Sequence, residues 1–217
     1  GETITYFEIT TCAADDDGII PLTDTEWFED DACHRVIEFV SKTWSSIYFE
    51  ENLTFLANNL SPRHGESSRD TIRRYLCDSF YKDHMQTYKK RPIYWLFSSG
   101  KQKAFQCLVY LHRYNEGTLS RMRSEYVIPL QGKMAARIES LQGDIQSATS
   151  TVHLKRLEKE REKLNKQQVE LLTFDEKLRY YADLRVTLDL DDGVKVNYGK
   201  FGDLLAEVKA VHGKKGE

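Results

Sequence analysis

Nowhere in the 217 residues is there an apolar run approaching the roughly 18 residues that span a bilayer, so no membrane partner is expected. Gly1 to Ile9 alternates polar and apolar residues without a basic start, unlike a secretory signal. There is no initiator Met, and the chain opens on a strand-like segment, Thr3 to Ile9; both features suggest a piece of something longer. The four cysteines, at positions 12, 33, 77 and 107, show no CxxC spacing and sit in or beside apolar runs. Buried free thiols in a reducing cytoplasm are therefore expected, rather than disulfides or zinc.

Enzyme signatures are missing too. Ser98-Ser99-Gly100-Lys101 has one Gly-Lys but no glycine upstream at the spacing of a phosphate loop. There is no Gly-x-Ser-x-Gly elbow and no HExxH. The six histidines are dispersed with no shared ligand spacing, and no carboxylate lies in an apolar run that would raise its pKa for acid–base work. The acidic loop Asp15-Asp16-Asp17-Gly18 lacks the ligand spacing and late Glu of a calcium loop. The piece is expected not to be catalytic by itself, with no catalytic residue, metal or cofactor site of its own.

What is present is a strong charge asymmetry inside a chain of formal net charge −3. Residues 1–34 hold ten acidic side chains and no Lys or Arg, whereas the 32 residues from His84 to Asn115 hold no acid at all. The acid-free stretch carries Lys89, Lys90, Arg91, Lys101, Lys103 and Arg113, the candidate nucleic-acid contacts. Screening confines such a field to about 10 Å, so a basic patch attracts polyanions even on a mildly acidic molecule. Arg91 and Lys90 have an alternative role, pairing internally with the acidic N-terminal third. Arg69, Arg73 and Arg74 further upstream are read as a solvated helix face rather than phosphate contacts.

Two apolar runs, Ile93–Phe97 and Ala104–Leu111, flank the turn chemistry of Ser98 to Lys101 and predict a β-hairpin. Both runs are nearly continuous rather than alternating, which predicts burial on both sheet faces. Tyr94 and Trp95 are expected in the core rather than stacked on a base. Ahead of the hairpin, helices are expected from Asp24 or Thr25 to about Trp44, from Ser46 to about Asn59, and from about Ser67 onward. After it, Leu119 to Ile145 and Leu154 to Leu178 repeat at helical spacing around a short polar break. That pattern predicts a long antiparallel coiled-coil hairpin of helices, kinked or restarted at Pro129. At the end, Val186–Leu190 and Val194–Tyr198 around Asp191-Asp192-Gly193 read as a small β-hairpin, followed by a helix from Lys200 to Val211. The fold class is α+β and mainly helical, with a small antiparallel sheet. Its units are expected at 1–117, 118–185 and 186–217.

Lys90-Arg91-Pro92-Ile93-Tyr94-Trp95 with the strand after it, the helical hairpin, and Leu188-Asp189-Leu190-Asp191-Asp192-Gly193-Val194-Lys195-Val196-Asn197-Tyr198 occur in that order. Together these blocks resemble the C-terminal region of the PglX family, the adenine-specific DNA methyltransferases of bacteriophage-exclusion (BREX) systems. The resemblance implies a large parent enzyme that uses S-adenosylmethionine to methylate adenine N6 in duplex DNA and marks host DNA in phage defence. The family's Asn-Pro-Pro-Tyr-type motif and Gly-rich cofactor loop are absent here, so no catalytic or cofactor residue carries over. What the resemblance implies for this stretch is a supporting module that contacts duplex DNA. The other expectation is a scaffold whose helical hairpin docks another domain of the parent or another defence subunit.

Overall fold

The computed structural model describes residues 17–44, 46–88, 91–189 and 191–206. Its centre is a three-stranded antiparallel sheet of β1 (Ile19–Pro21), β2 (Tyr94–Ser98) and β3 (Gln106–Tyr110), with β3 in the middle. Trp95 pairs with Val109 and Phe97 with Cys107, while Leu96 pairs with Leu108. Because successive strand residues point to opposite faces, each run feeds two cores. Ile19, Trp95, Phe97, Cys107 and Val109 enter one, and Leu96 and Leu108 enter the other. The near-continuous hydrophobicity of the hairpin is thus explained by burial on both sides, as expected.

The third strand forms where a solvated loop was expected. The Thr3–Ile9 segment expected in the sheet lies outside the described residues, and the partner seen on β3 is Ile19–Pro21, which reads locally as loop. Pro21 suits an edge strand, where its missing N–H leaves no ladder bond broken. On the opposite edge, Ala206 N–H donates to the Leu96 carbonyl at 2.9 Å, and Leu205 bridges Phe97.

One face of the sheet is covered by α1 (Ala32–Thr43), α2 (Phe49–Asn58), α3 (Ser68–Tyr75) and α4 (Tyr81–Thr87). The first helix starts later than its local signals suggested. Asp31, not Asp24 or Thr25, is the cap, its carboxylate accepting from the His34 N–H at 2.8 Å. Trp27 and Phe28 precede the helix and pack against the other core. Ser67 and Asp70 form a capping box that starts α3, and a π-helical turn, Leu76–Phe80, joins α3 to α4.

The other face is covered by α5 (Thr118–Arg121), a π-helical stretch (Met122–Val127), α6 (Ile128–Ser147) and α7 (Thr151–Asp183). The wide turn lies directly upstream of Pro129, which has no N–H to offer the carbonyl one turn back. The π-helical stretch and α6 together run antiparallel to α7: Arg123 of the former pairs with Asp175 at 2.7 Å and Arg137 of α6 with Glu160 at 2.9 Å. Their 20 and 33 residues correspond to roughly 30 and 50 Å. All four heptad leucines of α7 are buried. Leu157 and Leu164 cluster with Leu141, while Leu171 and Leu178 join the sheet's core.

The C-terminal β-hairpin expected around Asp191-Asp192-Gly193 is not formed. Val194–Gly199 is a short helix, α8, and the turn ahead of it is closed by a side chain instead of a ladder. Asn197 Nδ2 donates to the carbonyls of Asp189 (2.6 Å) and Asp192 (3.2 Å), and its Oδ1 accepts from the Asp189 N–H. A helix does not begin at Lys200 either: Gly202–Leu204 is a 3₁₀ turn leading to the Leu205 bridge, and residues 207–211 lie outside the described part.

Candidate nucleic-acid interface

The hairpin distributes the basic candidates between its two ends. Arg91 precedes β2 and Arg113 follows β3, so the antiparallel pairing of Tyr94 with Tyr110 brings them to the same end. Lys101 and Lys103 lie in the turn at the other end, about 17 Å away across five-residue strands. Lys89 and Lys90 are outside the described residues.

The turn end is occupied by acids. Lys103 Nζ pairs with Asp78 at 2.5 Å and donates to the Cys77 carbonyl at 3.3 Å. Beneath the turn, the Glu170 carboxylate from α7 accepts from Ser99 Oγ (2.7 Å), Gln102 N–H (2.7 Å) and Ala104 N–H (3.2 Å). Gly100 has φ +139°, and a Cβ there would lie 2.8 Å from Glu170 Oε2. This carboxylate sets the turn's shape and offsets its positive charge. It was invisible in the sequence because it comes from some 70 residues downstream.

The Arg91 end is more open. Arg91 is exposed, and its backbone N–H is held by the Tyr88 carbonyl at 3.1 Å. Arg113 lies along Gly18, whose φ is +72°; a Cβ at that glycine would approach Arg113 Cβ to 3.0 Å. Behind the entry to β2 sits His84, one of the dispersed histidines. Its Nε2 accepts from the backbone N–H groups of Ile93 (3.2 Å) and Tyr94 (3.3 Å). Burial holds its pKa below the ordinary histidine value, consistent with a neutral ring whose acceptor nitrogen faces the backbone. Tyr88 and Tyr94 flank it, with ring centroids at 4.9 and 5.7 Å.

In front of β2 lies a mostly apolar cleft of about 360 Å³, with Arg91, Ile93, Trp95, His112, Leu188 and Val194 among its walls. Trp95 is buried edge-on against Tyr198 and Phe201, with centroids at 5.2 and 5.8 Å, so it serves the core as expected.

The upstream arginines are engaged in ion pairs. Arg69 meets Glu50 through two bonds, at 2.8 and 3.2 Å, and Arg73 pairs with buried Asp31. Arg74 meets Glu66 at 2.7 and 3.0 Å, which with the Arg63 N–H lowers the Glu66 pKa to about 2. Cys33, Cys77 and Cys107 are free thiols, and burial pushes the first two to about 11 and 12. Among the described residues no cluster of His, Cys, Asp and Glu is arranged to hold a metal, and no helix is long and apolar enough to cross a membrane.

No family model matches the chain. It is 58% identical over 208 residues to the adenine-specific methyltransferase BrxX of Escherichia coli O9:H4 (strain HS), covering 94% of this chain and 17% of that protein. It is 42% identical over 187 residues to the adenine-specific methyltransferase PglX of Lacticaseibacillus casei (strain Zhang), covering 85% of this chain and 16% of the relative. The resemblance read from the sequence is therefore shown, and the chain spans about one sixth of the length of these relatives.

Proposed function

We propose that this chain, homologous over most of its length to one stretch of the BrxX and PglX adenine-specific methyltransferases, is a non-catalytic module of such an enzyme. In this reading the parent transfers a methyl group from S-adenosylmethionine to adenine N6 of duplex DNA, in the cytoplasm, as part of a BREX phage-defence system. The module holds the duplex by its phosphates while chemistry proceeds elsewhere in the polypeptide. The observation that carries the DNA contact is the open Arg91 end of the hairpin, which lies within 32 consecutive residues lacking any acid.

Phosphate contacts fix register and supply affinity that falls with salt. Arg91 is exposed at the open end, whereas Lys103 is committed to Asp78. Each phosphate contact contributes about −0.9 to the log–log salt slope, hence a loss of roughly 3.5-fold in affinity from 50 to 200 mM salt per contact. The test is a duplex-binding titration at those two concentrations. No binding at the lower one would remove DNA from this module's role.

A second reading has its own observation. Val169 and Leu172, three residues apart and so neighbours on the surface of α7, are exposed away from the buried heptad leucines. That strip suits docking of another domain of the parent or another defence subunit. Replacing both by Lys is expected to disrupt assembly while leaving duplex affinity unchanged, and retained assembly in a pull-down would refute it.

A further inference from the structure

We propose that His84 is an acid-sensitive latch on the segment that carries Arg91: the neutral ring pins the backbone ahead of β2, and a ring that takes a proton releases it. The geometry starts with two donors converging on one nitrogen. His84 Nε2 accepts from the Ile93 N–H at 3.2 Å and from the Tyr94 N–H at 3.3 Å. Protonation puts a hydrogen on that nitrogen, so a lone pair shared by two donors becomes a third donor aimed at them.

The segment has few other fastenings. Pro92 has no N–H, and the Arg91 N–H is spent on the Tyr88 carbonyl at 3.1 Å. Toward β3, the Ile93 carbonyl accepts from the Leu111 N–H at 3.1 Å, and Tyr94 is paired with Tyr110. The sheet's own bonds do not pass through His84, so the release is confined to the stretch leading into β2.

The surroundings offer an imidazolium no compensation. His84 is 7% exposed, and the rings packed on it are Phe80 and Tyr81 on its own helical run, Tyr88 at the end of α4 and Tyr94 on β2, with Tyr110 of β3 against Tyr94. The titratable groups facing it among the described residues are thus phenols, and burial pushes Tyr81 up to about 12 and raises Tyr94. Lys82, Asp83 and Arg91 are exposed, with Asp83 accepting from the Tyr75 hydroxyl at 3.0 Å. Burial holds the pKa of the ring down, so the latch is closed at neutral pH and opens as pH falls. Between the open-ring value of about 6.5 and the lower latched value, opening increases about tenfold per pH unit, the slope of one proton. The latch is a property of the fold and stands independently of the duplex contact proposed for Arg91.

Amide hydrogen exchange of the whole chain, read by ¹H–¹⁵N NMR between about pH 7.5 and 5, tests it. Protection factors of Ile93 and Tyr94 are expected to fall by about tenfold or more over that range, in step with titration of the His84 ring, while those of Cys107 and Val109 in β3 hold. His84→Gln keeps a side-chain acceptor without a titrating group, and there the two amides are expected to lose their pH dependence. His84→Phe removes the acceptor and leaves both amides open at every pH, with Cys107 and Val109 still protected as the sign that the sheet is kept. Protection at Ile93 and Tyr94 that ignores pH in the wild type, or that changes equally in His84→Gln, overturns the proposal. So does a loss shared equally by Cys107 and Val109, which is global unfolding and not a latch.

Discussion

Replacing Glu170 by Ala removes one carboxylate that serves three donors of the hairpin turn. Their fates differ. Gln102 is exposed, so its N–H is rehydrated; Ala104 is 1% exposed, so its N–H loses its partner beyond easy reach of water. With one buried donor orphaned at about 1–3 kcal/mol and two charge-assisted bonds exchanged for water, the expected loss is roughly 2–4 kcal/mol. At 2–4 °C per kcal/mol for a chain of this size, Tm falls by roughly 4–16 °C. Glu170→Gln falls between, because its NH₂ group confronts a donor where Oε1 or Oε2 accepted. Gly100→Ala approaches the same site from the other side. Its Cβ would lie 2.8 Å from Oε2, and its φ of +139° strains any L residue. In the Glu170→Ala background the contact is relieved and the backbone strain remains, so Gly100→Ala costs less there than in the wild type. Urea unfolding followed by circular dichroism measures all four corners of that cycle. Glu170→Ala within about 0.5 kcal/mol of wild type, or two costs that simply add, would show that the carboxylate does not hold the turn.

At the Arg91 end, Arg91→Ala is expected to flatten the log–log salt dependence of duplex binding by about 0.9, whereas Lys103→Ala leaves it unchanged because its ammonium is held by Asp78. The opposite ordering in a fluorescence-anisotropy series would relocate the interface to the turn. His84 makes stability depend on pH: its folded pKa lies below the ordinary value of about 6.5, so its contribution is intact above that pH and declines as pH falls toward the folded value. The drop in urea midpoint between pH 7.5 and 5.5 should be smaller in His84→Gln than in wild type; an equal drop would mean the imidazole is not held neutral. Tyr126→Phe removes the hydroxyl that stands 2.8 Å from Asp17 Oδ2 and 3.0 Å from Asp30 Oδ2. With the Asp17 carboxylate buried, it should destabilise by about 2 kcal/mol in the same urea assay, and a neutral result would rule out that shared bond.

The central hairpin was legible because its signal is local: two apolar runs, a turn between them, and a continuity that only two-sided burial explains. The start of α3 was legible for a similar reason, since Ser67 and Asp70 satisfy one another within one turn. Where reading failed, a distant partner decided. Asp24 and Asp31 are equally good caps in sequence, and Arg73, some forty residues away, pairs with Asp31. Asp191-Asp192-Gly193 between alternating apolar residues is sound turn chemistry, yet Asn197 takes the backbone groups of Asp189 and Asp192, and Tyr198 turns onto Trp95. The basic residues were legible as charges but not as free or committed. Lys103 looked equivalent to Arg91 until Asp78 arrived from a π-helical turn, while Lys101 stays exposed in the hairpin turn.

The same long-range partners give the Arg91 end its character. On one side the two backbone N–H groups that lead into β2 are fixed by His84 of α4; on the other, Trp95 is fixed by Tyr198 of α8 and by Phe201. The Arg91 backbone is anchored by Tyr88, while its side chain stays exposed. A ligand engaging Arg91 therefore meets a cation whose base is already ordered from both cores, and little backbone entropy is lost in holding it. The turn end is ordered just as firmly, but by carboxylates, which turn an anion away. One hairpin thus presents two ordered ends, and the acids that neighbouring elements bring to the turn offset part of its basic charge.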